Sequence, residues 1–193
     1  TPYGRLFCFN NYNKKNIRGL PAIGLEKFIG TPFRHDAIGY YNEIRENRAP
    51  FKDGNCTRVD TMGTFVFKIS DDHGQSWSTN RYTIPVREME IDHNNPCQGQ
   101  VRLFWNVGVP FIFNDCVNLP LIKVGGFGPG YIASSEGVLL QSKNLLSEND
   151  FNKIDWLTLP GGDIGLRTPK GGGPIAEEHS FCVLSDGSYY CVY

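Results

Sequence analysis

The chain lacks an excess of charge of either sign: 19 Lys and Arg stand against 20 Asp and Glu, a formal net charge of −1, with no basic run. Nucleic-acid binding needs a basic patch or stripe, so that partner class is set aside. No stretch approaches the length and apolarity of a membrane span, and helix-period patterning is nearly missing. The six cysteines (Cys8, Cys56, Cys97, Cys116, Cys182, Cys191) form no CxxC and no zinc-like spacing. HExxH and GxSxG are missing too, which removes two familiar hydrolase signatures. Gly125-Gly126-Phe127-Gly128-Pro129-Gly130 is no phosphate loop, because no helix pattern follows and no Lys-Ser/Thr pair closes it. It reads as a connector.

What is present fits an all-β domain. There are 22 Gly and 12 Pro for turns, and aromatics, which favour strands, reach 13%. Short strand-like runs recur at regular spacing: Gly4–Phe9, Gly63–Ile69, Val101–Gly108, Pro110–Phe113, Val117–Val124, Trp156–Pro160 and the Ser180–Tyr193 hairpin turning at Ser185–Ser188. Tyr131 to Ser142 reads as another hairpin, with a turn at Ser134-Ser135-Glu136-Gly137. Ser147 to Lys153 has room for one helical turn, and the charged insertion from Asn42 to Asp60 reads as a surface loop. Cys182 and Cys191 flank the last turn, where their side chains could meet, although six cysteines leave the pairing open. Asn55-Cys56-Thr57 is a glycosylation sequon, compatible with a secreted, extracellular protein.

The sharpest local motif is Ser70-Asp71-Asp72-His73-Gly74-Gln75-Ser76-Trp77, directly after the run Gly63–Ile69. Its spacing, Ser-x-Asp-x-Gly-x-Ser-Trp, resembles an Asp-box: a tight turn closed by Asp side-chain bonds to backbone, with Gly at a special backbone position and a Trp tucked beneath. That turn staples the blades of sialidase-like β-propellers, so it speaks to fold and not to chemistry. A blade takes about 40–50 residues and closure needs at least about four blades. The 193 residues therefore supply three to four blades, and 1–193 is expected to be part of a single propeller domain whose remainder belongs to a longer, cleaved polypeptide. Strand-like ends at both termini agree, since bare edges are avoided in natural β proteins. A complete sandwich is the plainer alternative.

Loops leading into inner strands line one face of a propeller, and three polar clusters occupy such positions. Arg87-Glu88-Met89-Glu90-Ile91-Asp92-His93-Asn94-Asn95 reads as a long loop in which His93 suits acid–base work and Arg87 suits a substrate carboxylate. A solvated loop with local ion pairs is the alternative. Glu177-Glu178-His179 precedes the last hairpin, and Gly161-Gly162-Asp163-Ile164-Gly165-Leu166-Arg167 ends in a cation. Arg34-His35-Asp36 is a fourth candidate, His73 reads as exposed and inert, and Lys123 either touches an acidic sugar or is simply exposed.

Glu178-His179-Ser180-Phe181-Cys182-Val183-Leu184-Ser185-Asp186-Gly187, with the Asp-box, resembles the sialidase superfamily, in which a Glu at the place of Glu178 assists a Tyr nucleophile. The Arg-Ile-Pro motif of sialidases is missing. Over about residues 60–193, three segments resemble a group of Asp-box propellers more closely: Glu90-Ile91-Asp92-His93-Asn94-Asn95, Gly162-Asp163-Ile164-Gly165-Leu166-Arg167 and Glu177-Glu178-His179. That group comprises seven-bladed enzymes acting on rhamnose linked α-1,4 to glucuronic acid, both rhamnose–glucuronate lyases and α-rhamnosidases.

The resemblance implies an exo-acting polysaccharide lyase, with a glycoside hydrolase (exo-sialidase or α-L-rhamnosidase) or a noncatalytic carbohydrate-binding propeller as alternatives. Elimination needs a base for the uronate C5 proton, a cation for the carboxylate and an acid for the departing oxygen. His93, with His35 or His179 as a second proton carrier, and Arg87 and Arg167 are the expected catalytic set. Glu178, His179, Arg34 and Lys123 are the expected substrate contacts, and Asn55 the glycosylation site. The expected partners are an acidic oligosaccharide or polysaccharide and the rest of the polypeptide, with no nucleic acid and no membrane. No cofactor is required, although structural calcium would suit a propeller axis.

Overall fold

The computed structural model describes residues 4–12, 64–95, 102, 104–105, 108–125, 135–173, 175 and 178–193. Of these, 42% lie in strands and 7% in helix, so the protein is mostly β-sheet. Strands β1 (Leu6–Tyr12), β2 (Thr64–Ser70) and β3 (Tyr82–Thr83) form one antiparallel sheet in that order. The helix α1 (Glu90–Asn94) follows, then β4 (Phe104–Trp105), β5 (Phe111–Phe113), β6 (Cys116–Val124), β7 (Ser135–Ser142) and β8 (Leu157–Leu159). These five strands make a second sheet in the order β4-β6-β7-β8, with β5 also on β6. A separate hairpin pairs β9 (Ser180–Val183) with β10 (Tyr189–Val192). Among the described residues there is no closed barrel or propeller.

The second sheet is an antiparallel meander. β4 and β5 lie along the same strand, β6, pairing Phe104 with Lys123 and Phe111 with Asn118. The interruption between them falls opposite Pro120, whose ring meets Gly108 so closely that any side chain at 108 would collide with it. β6 is buried on both faces, as a central strand should be, and its register with β7 runs unbroken from Val117↔Ser142 to Val124↔Ser135. Ser135, Glu136 and Gly137 are therefore strand and not part of the turn expected at 134–137; pairing with β6 overrides the local preference.

The core joins the first two sheets. Phe65, Phe67 and Ile69 project to one face of β2 by period-2 alternation and meet Phe7 and Phe9 across the β1 register. Phe67 also packs on Phe151 at 6.2 Å and Trp156 at 6.2 Å between ring centroids, drawing the β7–β8 connection against the first sheet. That connection contains a 3-10 turn at Phe151–Lys153, where a helical turn was expected. The β9–β10 hairpin docks through Phe181 and Tyr189 on Phe111, at 5.9 and 5.4 Å. Its register pairs Cys182 with Tyr190 and Cys191 with Phe181, so the two cysteines face opposite sides and cannot bridge. Both are free, as are Cys8 and Cys116. Cys56, Cys97 and the Asn55 sequon lie outside the described residues.

The Asp-box turn connects β2 to β3. Asp72 Oδ1 accepts from Ser70 Oγ (2.7 Å) and from the Ser76 amide (2.9 Å), its Oδ2 accepts from Ser76 Oγ (2.5 Å), and Ser70 Oγ accepts from the Gly74 amide (2.8 Å). Gly74 takes φ +88°, the left-handed conformation that glycine adopts without steric cost. Trp77, expected beneath the turn, is instead 38% exposed. The β7–β8 turn repeats part of this pattern: Ser142 Oγ donates to Asn144 Oδ1 (3.3 Å) and accepts from the Leu145 amide (3.1 Å).

Bonds from Ser76 and Ser70 hold the Asp72 carboxyl down to about 2 from 3.8. A depressed carboxylate stabilises the fold above its unfolded value, and that contribution disappears as pH falls through the folded value. Denaturant titrations of wild type and Asp72→Asn should show wild type the more stable near neutral pH. The gap should close between about 3.8 and about 2. A constant gap across that window would assign the turn's stability to groups other than this carboxylate.

Candidate functional site

The second sheet carries a row of side chains at the end of β6. Directly opposed residues in an antiparallel pair share a face, so the pairings Phe104↔Lys123 and Lys123↔Glu136 align Phe104, Lys123 and Glu136 on one side. This is the core side, since Leu119 and Leu121 alternate onto it. Lys123 is fully buried there, so it is neither the exposed side chain nor the direct sugar contact that the sequence allowed. Its Nζ donates to Asp92 Oδ2 and to the Arg87 carbonyl oxygen (2.6 Å), and it lies 5.7 Å from the Phe104 ring centroid. Burial pushes its ammonium below the ordinary lysine value, while the bond to Asp92 and its charge push back up.

The segment over this row, expected as a loop, contains α1. Asp92 Oδ2 also accepts from the Met89 amide (2.9 Å), satisfying the donor of the N-cap residue. The next residue, His93, is exposed. Arg87 is fixed along its length: its amide donates to Thr158 Oγ1 (3.0 Å), and its guanidinium reaches the Pro160 carbonyl (2.5 Å) and Asp163 (3.5 Å). Arg102 donates to the Val86 carbonyl (2.6 Å) and pairs with Glu88, whose carboxyl it holds below the usual range first by that hydrogen bond and then by its charge.

The 161–167 segment meets the same place. The Glu90 amide donates to the Asp163 carbonyl (2.9 Å). Arg167 pairs with Glu136, whose other oxygen accepts from the Gly165 amide (2.8 Å). Leu166 and Ile175 continue the sheet beyond β8: the Leu166 amide bonds to the Gly137 carbonyl (2.8 Å) and the Gly137 amide to the Ile175 carbonyl (2.5 Å). Two of the three polar clusters seen in the sequence are thus hydrogen-bonded to one another above a common row of charges.

His179 is elsewhere. It packs where a side chain on Gly137 would touch its ring, with Nε2 3.3 Å from the Val138 carbonyl. Gly137 is the residue after Glu136, so His179 lies against the opposite face of the sheet, 1% exposed. It acts there as a packing residue, apart from His93. Glu178 is exposed at the start of the hairpin. Arg34 and His35 lie outside the described residues. An apolar cleft of about 390 Å³ near Phe7, Phe111 and Val117 sits toward the other end of β6, with Arg5 as its charged lining residue, already paired with Asp71.

Sequence reasoning missed Asp92, Glu136 and Arg102 as individual contributors. A lysine inside the apolar run Leu119–Val124 was the available signal, because a buried ammonium demands a carboxylate partner. Among the described residues no group of three or more His, Cys, Asp or Glu side chains is arranged to hold a metal. A scan of protein-family models and searches of curated proteins and of solved structures return no match.

The buried pair sets a stability test. Lys123→Met alone strands the Asp92 carboxylate and should cost about 3–5 kcal/mol of unfolding free energy. Adding Asp92→Leu should recover part of it, because the stranded charge is gone while the Met89 amide and the Arg87 carbonyl lose their partners. Urea unfolding of the two variants reads the difference. Equal losses in both would mean that the charges themselves stabilise the fold.

Proposed function

We propose that the protein is an exo-acting polysaccharide lyase that removes terminal L-rhamnose from α-1,4-linked D-glucuronate by β-elimination. The observation that carries this reading is the junction of the 87–95 and 161–167 segments through Glu90–Asp163 and Arg87–Asp163, which joins the segment bearing exposed His93 to the one ending in Arg167. The five-stranded antiparallel sheet and the Asp-box turn support a sialidase-like β-propeller, seven-bladed when complete, to which this chain contributes three to four blades.

In the reaction, a base takes the proton from C5 of the glucuronate, and the C–H electron pair becomes the C4–C5 double bond. The C4–O bond breaks, and rhamnose leaves with that oxygen after receiving a proton. His93 carries the proton at one of these two steps. Arg167, 40% exposed at its side chain, faces the negative charge that grows on the substrate carboxylate, and Arg87 adds positive potential from its anchored position. Under this reading the protein is a secreted glycoprotein, its partner is an acidic polysaccharide, and the reaction needs no cofactor.

The test uses the full-length protein and a rhamnose-capped glucuronate oligosaccharide. Rhamnose release with a new unsaturated-uronate absorbance is expected, and His93→Ala should lower kcat by about 10²–10⁴-fold. Release without absorbance would mean hydrolysis. Sialoside cleavage in its place would overturn the lyase reading and move attention to Glu178.

A further inference from the structure

We infer that Lys123 is a positioning residue for the proposed elimination: from inside the sheet it binds the Arg87 carbonyl and the Asp92 carboxylate, on either side of Glu88–Ile91, and so sets where His93 stands. The inference rests on the reading that His93 and the neighbouring arginines act on substrate.

Helix α1 is five residues long, too short to persist by its own hydrogen bonds. Something outside it must hold its orientation. One ammonium does so at two points: the Arg87 carbonyl before the helix and the Asp92 carboxylate inside it. The same Asp92 oxygen accepts the Met89 amide, so the helix start and the sheet are tied through a single atom. His93 follows Asp92 directly, and its backbone inherits that placement.

A buried ion pair is poor at adding net stability, since an apolar pair of like volume often serves as well. What the apolar pair lacks is direction. An ammonium offers three hydrogen-bond donors, and Lys123 gives two of them to one segment. Other bonds also touch the segment, from Thr158, Asp163 and Arg102. Those tie Val86, Arg87, Glu88 and Glu90; Lys123 bonds from the sheet to the residue before His93.

The deciding variant is Lys123→Met/Asp92→Leu in the full-length protein, compared with wild type in three measurements. Its unfolding midpoint should lie between those of Lys123→Met and wild type. With the rhamnose-capped glucuronate oligosaccharide, kcat should fall at least about tenfold while KM changes less than about threefold, because transition-state geometry is lost and ground-state binding is kept. Amides 88–95 should exchange hydrogen at least about tenfold faster, with β6 and β7 unchanged.

A folded double variant with wild-type kcat and wild-type exchange over 88–95 would overturn the inference. If wild type forms no unsaturated uronate, the elimination reading fails by itself, and exchange decides the positioning role: faster exchange confined to 88–95 supports it, and unchanged exchange overturns it. Should the double variant not fold, Asp92→Asn keeps an oxygen for the Met89 amide while removing the charge facing Lys123. The same kcat and exchange outcomes then decide.

Discussion

A single ammonium buried at the end of a central strand organises the charged end of this protein. Lys123 lies where Leu119 and Leu121 have already turned β6 toward the core, and its buried charge is met by hydrogen bonds to Asp92 and the Arg87 carbonyl. Taking that charge from water is costly, and the cost is offset only if partners are present in the right geometry. The structure around Lys123 meets this demand. A short helix is oriented to present Asp92, and the preceding residues are laid along the sheet to present a carbonyl.

From that point the constraint propagates. Once the Arg87 backbone is held, its guanidinium can reach Pro160 and Asp163, and the Glu90 amide can reach the Asp163 carbonyl. The 161–167 segment is then tied to β7 by Gly165 and Arg167, both on Glu136, the residue opposite Lys123 in the register. The charges are mostly compensated in pairs, which leaves His93 as an exposed titratable group on a held backbone.

The aromatic cluster supplies a different kind of order. Phe7, Phe9, Phe67, Phe151 and Trp156 interlock at the junction between the first sheet and the β7–β8 connection. Burial of such rings is strong but weakly directional, so it fixes which elements touch without fixing hydrogen-bonding geometry. The Asp-box turn and the Asp186 turn act locally in the opposite manner, setting chain direction through short, directed bonds. Large-scale contact comes from the rings, and orientation comes from polar groups.

Strand content, the Asp-box turn and the last hairpin were legible in the sequence because each is local. All the bonds that close the Asp-box lie between residues 70 and 76, and alternation of apolar side chains marks strands without knowledge of their partners. The pairing that makes Glu136 a strand residue, the mismatch that keeps Cys182 from Cys191, and the covering of Lys123 are decided by residues remote in the chain. Lys123 and Asp92 are 31 positions apart, and Arg167 and Glu136 are likewise 31 apart. A period-2 pattern states which side a residue faces, but not what covers that side. His179 shows the consequence: its sequence neighbourhood resembled a site, and the sheet set it on the face away from His93. Local hydrogen-bonding preference determined the turns and strands; long-range register, enforced by burial of β6 on both faces, determined which charges share a site.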